Sequence, residues 1–92
     1  MIAILDYGIG NLKSVERALT AVGAEAKVTS NLREISEADK LVVPGVGAFG
    51  ACVAGMKRCG YIDPLLRAIE KGKPVLGICV GLQMLFDATV FG

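Results

Sequence analysis

Three glycine-framed segments hold the residues of this chain best suited to chemistry, and one of them carries a cysteine. Gly77-Ile78-Cys79-Val80-Gly81 has the form G-x-C-x-G and lies between an apolar run and a helical pattern. In a nucleophile elbow, small residues on both sides of the reactive one permit a sharp strand-to-helix turn that lifts its side chain above a sheet. A sulfur placed there stands at the N-terminus of the next helix, where free N–H groups and the helix dipole favour thiolate, the nucleophilic form. The same five residues also suit a buried structural cysteine beside two packing glycines, and only a strand before and a helix after separate the two readings.

Pro44-Gly45-Val46-Gly47 is the second segment, again after an apolar run. In a parallel sheet it shares the carboxyl edge with Cys79, where open α/β folds bind ligands. Its glycines let a peptide turn its N–H toward the site, so it is one candidate half of an oxyanion hole, the Val80 N–H being the other. A turn that merely reverses the chain fits the spacing equally well. The third segment, Asp6-Tyr7-Gly8-Ile9-Gly10-Asn11, has a G-x-G without the third glycine of a dinucleotide fingerprint, which argues against nucleotide binding. Histidine is absent altogether, which removes the commonest general base and transition-metal ligand. Cys52 and Cys59 lie seven positions apart. On one helix that is ~10 Å, too far for a disulfide, so they read as plain core thiols.

The elements that must position these groups follow from hydrophobic spacing. Ile2 to Leu5 is a continuous apolar run, the mark of a strand buried on both faces. Leu12, Val15, Leu19 and Val22 recur at helical spacing, with Asn11 as N-cap and Gly23 as stop. Ala24 to Thr29 alternates and reads as a strand near the sheet edge, and Ser30 to Ala38 as a short helix or loop. Lys40 to Val43 is a third strand. Phe49, Cys52, Val53 and Met56 form a helical face ending near Gly60. Asp63-Pro64 reads as an N-cap and first helical residue, with Leu65, Leu66 and Ile69 continuing to Gly72. Pro74 to Ile78 is a fourth strand, and Leu82, Leu85 and Phe86 line a helix beginning after Cys79. Alternating strand and helix predict right-handed βαβ units and an open, doubly wound parallel sheet.

Composition bounds the function. Ninety-two residues suit one domain; the apolar share is 53%, and ten basic against nine acidic residues leave a net charge of +1. That balance forms no nucleic-acid surface. No apolar run approaches the ~20 residues of a membrane span, and the N-terminal run lacks the basic flank of a signal peptide. A soluble, cytoplasmic chain is the expectation. No metal or organic cofactor is implied. Four strands are few for a doubly wound sheet, which predicts that residues 1–92 are the N-terminal part of a larger domain and that an uncovered edge favours self-association.

Gly77-Ile78-Cys79-Val80-Gly81-Leu82-Gln83 resembles the nucleophile motif of class I, or triad, glutamine amidotransferases. With Asp6 to Leu12 and Pro44 to Gly50 the likeness narrows to the glutaminase subunits of imidazole glycerol phosphate synthases and extends over the chain to about Asp87. The resemblance implies a flavodoxin-like fold in which Cys79 attacks the amide carbon of L-glutamine, forming a glutamyl thioester and releasing ammonia. It implies that Val46 and Val80 offer N–H groups to the oxyanion once the Pro44–Gly47 strand reorients, and that Gly47 and Gln83 help hold glutamine. The loop around Asn11 would face a (β/α)8-barrel synthase (cyclase) subunit that uses the ammonia in histidine biosynthesis. That family completes its triad with a His and a Glu, and no histidine is present here. The expectation is therefore family membership without glutaminase turnover by this chain alone. Two rivals stand beside it: a non-catalytic, truncated or engineered half-domain, and another G-x-C-x-G fold, a cysteine hydrolase or thiol-based stress protein, with Asp6 as carboxylate partner.

Overall fold

Apolar runs of four to six residues separated by helical stripes cannot bury themselves singly, and they stack here into one parallel sheet with helices on both faces. The computed structural model describes residues 1–8 and 12–86. In chain order the elements are β1 (Ile2–Leu5), α1 (Leu12–Ala21), β2 (Ala26–Thr29), α2 (Leu32–Glu37), β3 (Lys40–Gly45), α3 (Phe49–Arg58), α4 (Ile62–Glu70), β4 (Val75–Cys79) and α5 (Val80–Phe86). The strand order is β2-β1-β3-β4 and every pairing is parallel. This is the open, doubly wound arrangement that the alternation predicts, with the flavodoxin-like strand order that the resemblance implies.

The crossovers explain how the layers divide. The step from β1 to β2 runs one way across the sheet and the later steps run the other, so right-handed connections put α1 on one face and α2, α3 and α4 on the other. The main core agrees. Ala3, Leu5, Leu41 and Val43 from the sheet pack with Ile35, Cys52, Met56, Leu65, Ala68 and Met84 from α2, α3, α4 and α5. On the opposite face Leu19 of α1 shares an apolar groove with Ile2, Val42 and Leu76. No described helix is long and apolar enough to cross a membrane.

Local chemistry sets the element ends. Asn31 caps α2 through its Oδ1, which accepts from the N–H groups of Arg33 at 2.9 Å and Glu34 at 3.2 Å; the polar stretch after β2 is thus helix rather than loop. β2 lies at the sheet edge as its alternation predicts, though it begins at Ala26 rather than Ala24, with Lys27 exposed and Thr29 buried.

Four expectations are corrected. Val22 lies beyond α1 and is 80% exposed, because the turn into Gly23, at φ +88°, carries it off the helical face. The N-cap of α4 is Tyr61, not Asp63, and the first intrahelical bond runs from the Leu65 N–H to the Tyr61 carbonyl at 3.0 Å. Pro64 therefore sits within the first turn, where its missing N–H has no partner to lose. β3 continues past Val43 to Gly45 because β4 keeps pairing there, and Pro44 is accommodated since the β1 register with β3 ends at Val42. In α5 the fully buried side chain is Met84, while Leu82 is 46% exposed. The Asn11 N-cap and the neighbouring Ile9 and Gly10 lie outside the described residues.

Candidate active site

All four strands point the same way, so the segments after β1, β3 and β4 meet along one edge. Cys79 closes β4 and Val80 opens α5 with no intervening residue. Among the described residues Cys79 is the one non-glycine with positive φ, at +55°. Holding an L-residue there costs on the order of 1–3 kcal/mol and persists only where surroundings enforce it. The two glycines enforce it by proximity. A Cβ on Gly77 would stand 2.6 Å from the Leu82 backbone, and one on Gly81 would stand 1.9 Å from the Val43 carbonyl oxygen. Strain thus sits on the cysteine itself, and the glycines let α5 press onto β3 and β4. Cys79 is exposed, whereas Cys52 is buried and Cys59 half-buried, all three unpaired.

The Pro44–Gly47 segment reaches the same place through sheet register. Gly45 pairs with Cys79, so the chain leaves β3 directly beside the elbow. Val46 is half exposed and Gly47 turns at φ +78°. Side chains from below hold this segment. The Tyr7 hydroxyl donates to the Pro44 carbonyl, and the Cys52 thiol donates to the Val46 carbonyl at 3.2 Å. Tyr61, whose ring meets that of Tyr7 edge-on at 6.5 Å, donates its hydroxyl to the Asp6 carbonyl at 2.5 Å. Burial pushes the Tyr7 phenol well above its usual pKa, with the neighbouring Cys52 thiol adding to it. Burial likewise raises Tyr61 to about 12. Both phenols are therefore fixed donors at neutral pH.

Val46, Gly47, Cys79 and Val80 are thus gathered at one edge, and Gln83 stands exposed four residues past Cys79 on α5. Asn11 lies outside the described residues. Asp6 accepts the Gly8 N–H on its Oδ1 at 3.1 Å, closing its own loop. Tyr7, Tyr61 and Cys52 were missed as site residues. Tyr7 falls in the Asp6–Asn11 segment and Cys52 on the predicted helical face, but their spacing says nothing of the carbonyls they bond; the core assignment of Cys52 holds. Its thiol also reaches the loop beside Cys79, which only packing reveals. Among the described residues no group of three His, Cys, Asp or Glu could hold a metal ion.

An exposed thiol at a strained strand-to-helix turn, with a glycine-rich backbone segment in register beside it, suits attack on a carbonyl and a thioester intermediate. The family model for glutamine amidotransferase class-I matches residues 3–90. The chain belongs to the class I glutamine amidotransferase family. Among its curated relatives, the imidazole glycerol phosphate synthase subunit HisH of Geobacter sulfurreducens is 50% identical over 92 residues, covering 99% of this chain and 44% of that protein. The HisH subunit of Syntrophotalea carbinolica is 51% identical, over 100% of this chain and 45% of its own length. That of Aquifex aeolicus is 53% identical, over 94% and 42%. The chain spans less than half the length of the curated relatives it matches.

Proposed function

We propose that residues 1–92 are part of one amidotransferase domain serving as the glutaminase subunit of an imidazole glycerol phosphate synthase, in the cytoplasm. The observation that carries this reading is Cys79, held at φ +55° between β4 and α5 with Gly45 as its register partner. The thiolate attacks the amide carbon of glutamine, the C–S bond forms, and the tetrahedral oxyanion accepts hydrogen bonds from the N–H groups of Val46 and Val80. The C–N bond then breaks, leaving a glutamyl thioester and ammonia, and water later releases glutamate. Gly47 and Gln83 hold the substrate. The loop around Asn11 faces the barrel-shaped cyclase that consumes the ammonia.

The leaving amine must gain a proton as the C–N bond breaks, and the chain has no histidine to give it. On this reading the histidine and glutamate that complete the family's triad supply that function. General acid–base catalysis contributes about 10²–10⁴-fold and triad members act as a unit, so this chain alone turns over no glutamine.

Two assays test the reading. A glutamine-analogue diazoketone, whose diazo carbon takes up the thiol's proton and loses nitrogen as sulfur displaces it, alkylates Cys79 in preference to its one-carbon-shorter asparagine homologue. Equal labelling by the two, or labelling centred on Cys52 or Cys59, defeats the proposal. Ammonia release from glutamine by the chain, alone and with a cyclase subunit, stays at the level of Cys79→Ala; turnover above that control would require another base, with Asp6 first to be mutated.

A further inference from the structure

Cys79 stands at the carboxyl end of β4, and a second concentration of charged groups gathers near the strand's other end. There α2 and α4 pack together around a recess of about 30 Å³. Its floor is apolar, formed by the buried Ile35, Pro64 and Ala68. Its rim carries Ser36, Arg67, Lys71 and Lys73. Three cations thus meet at one recess, and among the described residues no carboxylate lines it.

The backbone sets these cations in place. Arg67 and Lys71 are four residues apart at the end of α4, which puts them on one face. Gly72 then turns at φ +76° and the helix closes in a Schellman motif, the Gly72 N–H donating to the Ile69 carbonyl at 3.0 Å and the Lys73 N–H to the Ala68 carbonyl at 2.9 Å. That turn delivers Lys73 to the recess, where its Nζ donates to the Ser36 carbonyl of α2 at 2.7 Å. An ammonium has three N–H donors, so two are left.

Basic side chains at helix ends ordinarily serve the last carbonyls or a nearby carboxylate. Here both uses are taken up by other groups. The last turn of α4 is closed by backbone N–H groups, that of Lys71 on the Arg67 carbonyl at 3.0 Å included, and in α2 the Ala38 N–H takes the Glu34 carbonyl at 3.0 Å. The carboxylates of the neighbouring stretch are engaged elsewhere: Glu34 with Lys27 at 2.5 Å, Glu37 with Arg33 at 3.2 Å and Asp39 with the Met1 ammonium at 2.6 Å. Asp63 and Glu70 also lie on α4, yet among the described residues none of Arg67, Lys71 and Lys73 enters an ion pair.

We propose that this recess is an anion site for a compact oxyanion of the phosphate class. Arg67 offers a planar fork to two oxygens, Lys71 and the two remaining Lys73 donors supply charge beside it, and the apolar floor keeps water from one side. The recess takes one tetrahedral group and leaves whatever carries it in solvent. β4 spans Val75–Cys79, which at ~3.3 Å per residue sets the site on the order of 13 Å from the thiol. It therefore does not depend on the reaction at Cys79.

The test titrates inorganic phosphate and glycerol 3-phosphate into this chain at constant ionic strength and follows amide ¹H–¹⁵N spectra. The amides of Ser36 and of residues 67–73 shift along a saturable curve. Arg67→Gln and Lys71→Gln each raise the phosphate Kd about three- to fivefold, the upper range for one exposed charge. Arg67→Lys, which keeps the charge and loses the fork, raises it by a smaller factor. Lys13→Gln removes an exposed charge from α1 on the other face of the sheet and leaves Kd unchanged. All four positions are outside the core, and circular dichroism confirms that each variant keeps its fold. Tighter binding of glycerol 3-phosphate than of phosphate assigns the site to a phosphate monoester, and the reverse order assigns it to the free anion; either upholds it. Linear, unsaturating shifts with both probes, saturation centred on residues 77–81, or an equal rise of Kd in Lys13→Gln overturns it. The diazoketone preference reads the elbow and this titration reads the recess, so either proposal can fail without the other.

Discussion

Replacing Gly81 by alanine places a methyl group where the fold already has a backbone. The new Cβ would stand 1.9 Å from the Val43 carbonyl oxygen, 2.9 Å from its carbonyl carbon and 3.2 Å from the Pro44 carbonyl carbon. Relief requires about 1.5 Å of movement, taking carbon–oxygen contact at about 3.4 Å. Neither partner can yield easily. Val43 is fully buried and paired with Gly77 of β4, and α5 is anchored by the buried Met84. Overpacking typically costs ~1–3 kcal/mol, and a backbone-to-backbone clash belongs at the upper end. At ~4–8 °C per kcal/mol for a domain this size, a cost of ~3 kcal/mol lowers Tm by ~12–24 °C. Gly50→Ala is the matched control, because Gly50 is exposed on α3 with nothing within 4 Å of an added Cβ, and helix propensity there favours alanine by up to ~1 kcal/mol. Thermal and urea unfolding by circular dichroism measure both. A Gly81→Ala chain within about 1 kcal/mol of the parent would refute the claim that the elbow glycine is required by close approach of α5 to β3.

Three further outcomes follow from the same structure. Limiting iodoacetamide with peptide mapping modifies Cys79 first, because it is exposed while Cys52 is buried and Cys59 half-buried; preferential labelling of either other thiol contradicts the elbow geometry. Glu34 accepts from Lys27 Nζ at 2.5 Å and Thr29 Oγ1 at 2.7 Å, and these bonds, Lys27 first, hold its carboxyl below the ordinary 4.5. A depressed folded-state pKa contributes stability that is present above 4.5 and lost as pH falls through the lower folded value, so Glu34→Gln shows a shallower loss of stability on acidification, read from urea midpoints at pH 6 and below. Leu76 on β4 is 53% exposed and Leu82 on α5 46%, exposed apolar side chains that favour association; sedimentation velocity over a range of concentrations shows weight-average mass rising, and a monodisperse monomer throughout contradicts it.

Much of this protein is legible in its sequence because the relevant forces are local. Ile2–Leu5 and Lys40–Val43 announce strands since continuous apolar runs have nowhere to go but a sheet covered on both faces. The G-x-C-x-G spacing announces the elbow because a sharp junction needs small neighbours whatever surrounds it. Ser30 to Ala38 reads only as a short helix or loop, and the cap that Asn31 gives to α2 is seen in the structure. The tertiary structure alone decided where the strain falls, on Cys79 rather than on Gly77 or Gly81, since that depends on how closely α5 meets Val43 and Leu82 meets Gly77. It alone chose Met84 over Leu82 as the anchor of α5, and turned Val22 outward, because helical spacing names a face but not what stands opposite it. Tyr7 stands in the Asp6–Asn11 segment, Cys52 on a helical face and Tyr61 in no pattern at all, but nothing in the sequence names the carbonyls that their hydroxyl and thiol groups reach across separations of 37, 6 and 55 residues. Two of those three hydrogen bonds span most of a βαβ unit or more, and such bonds exist only after the sheet has brought its carboxyl ends together.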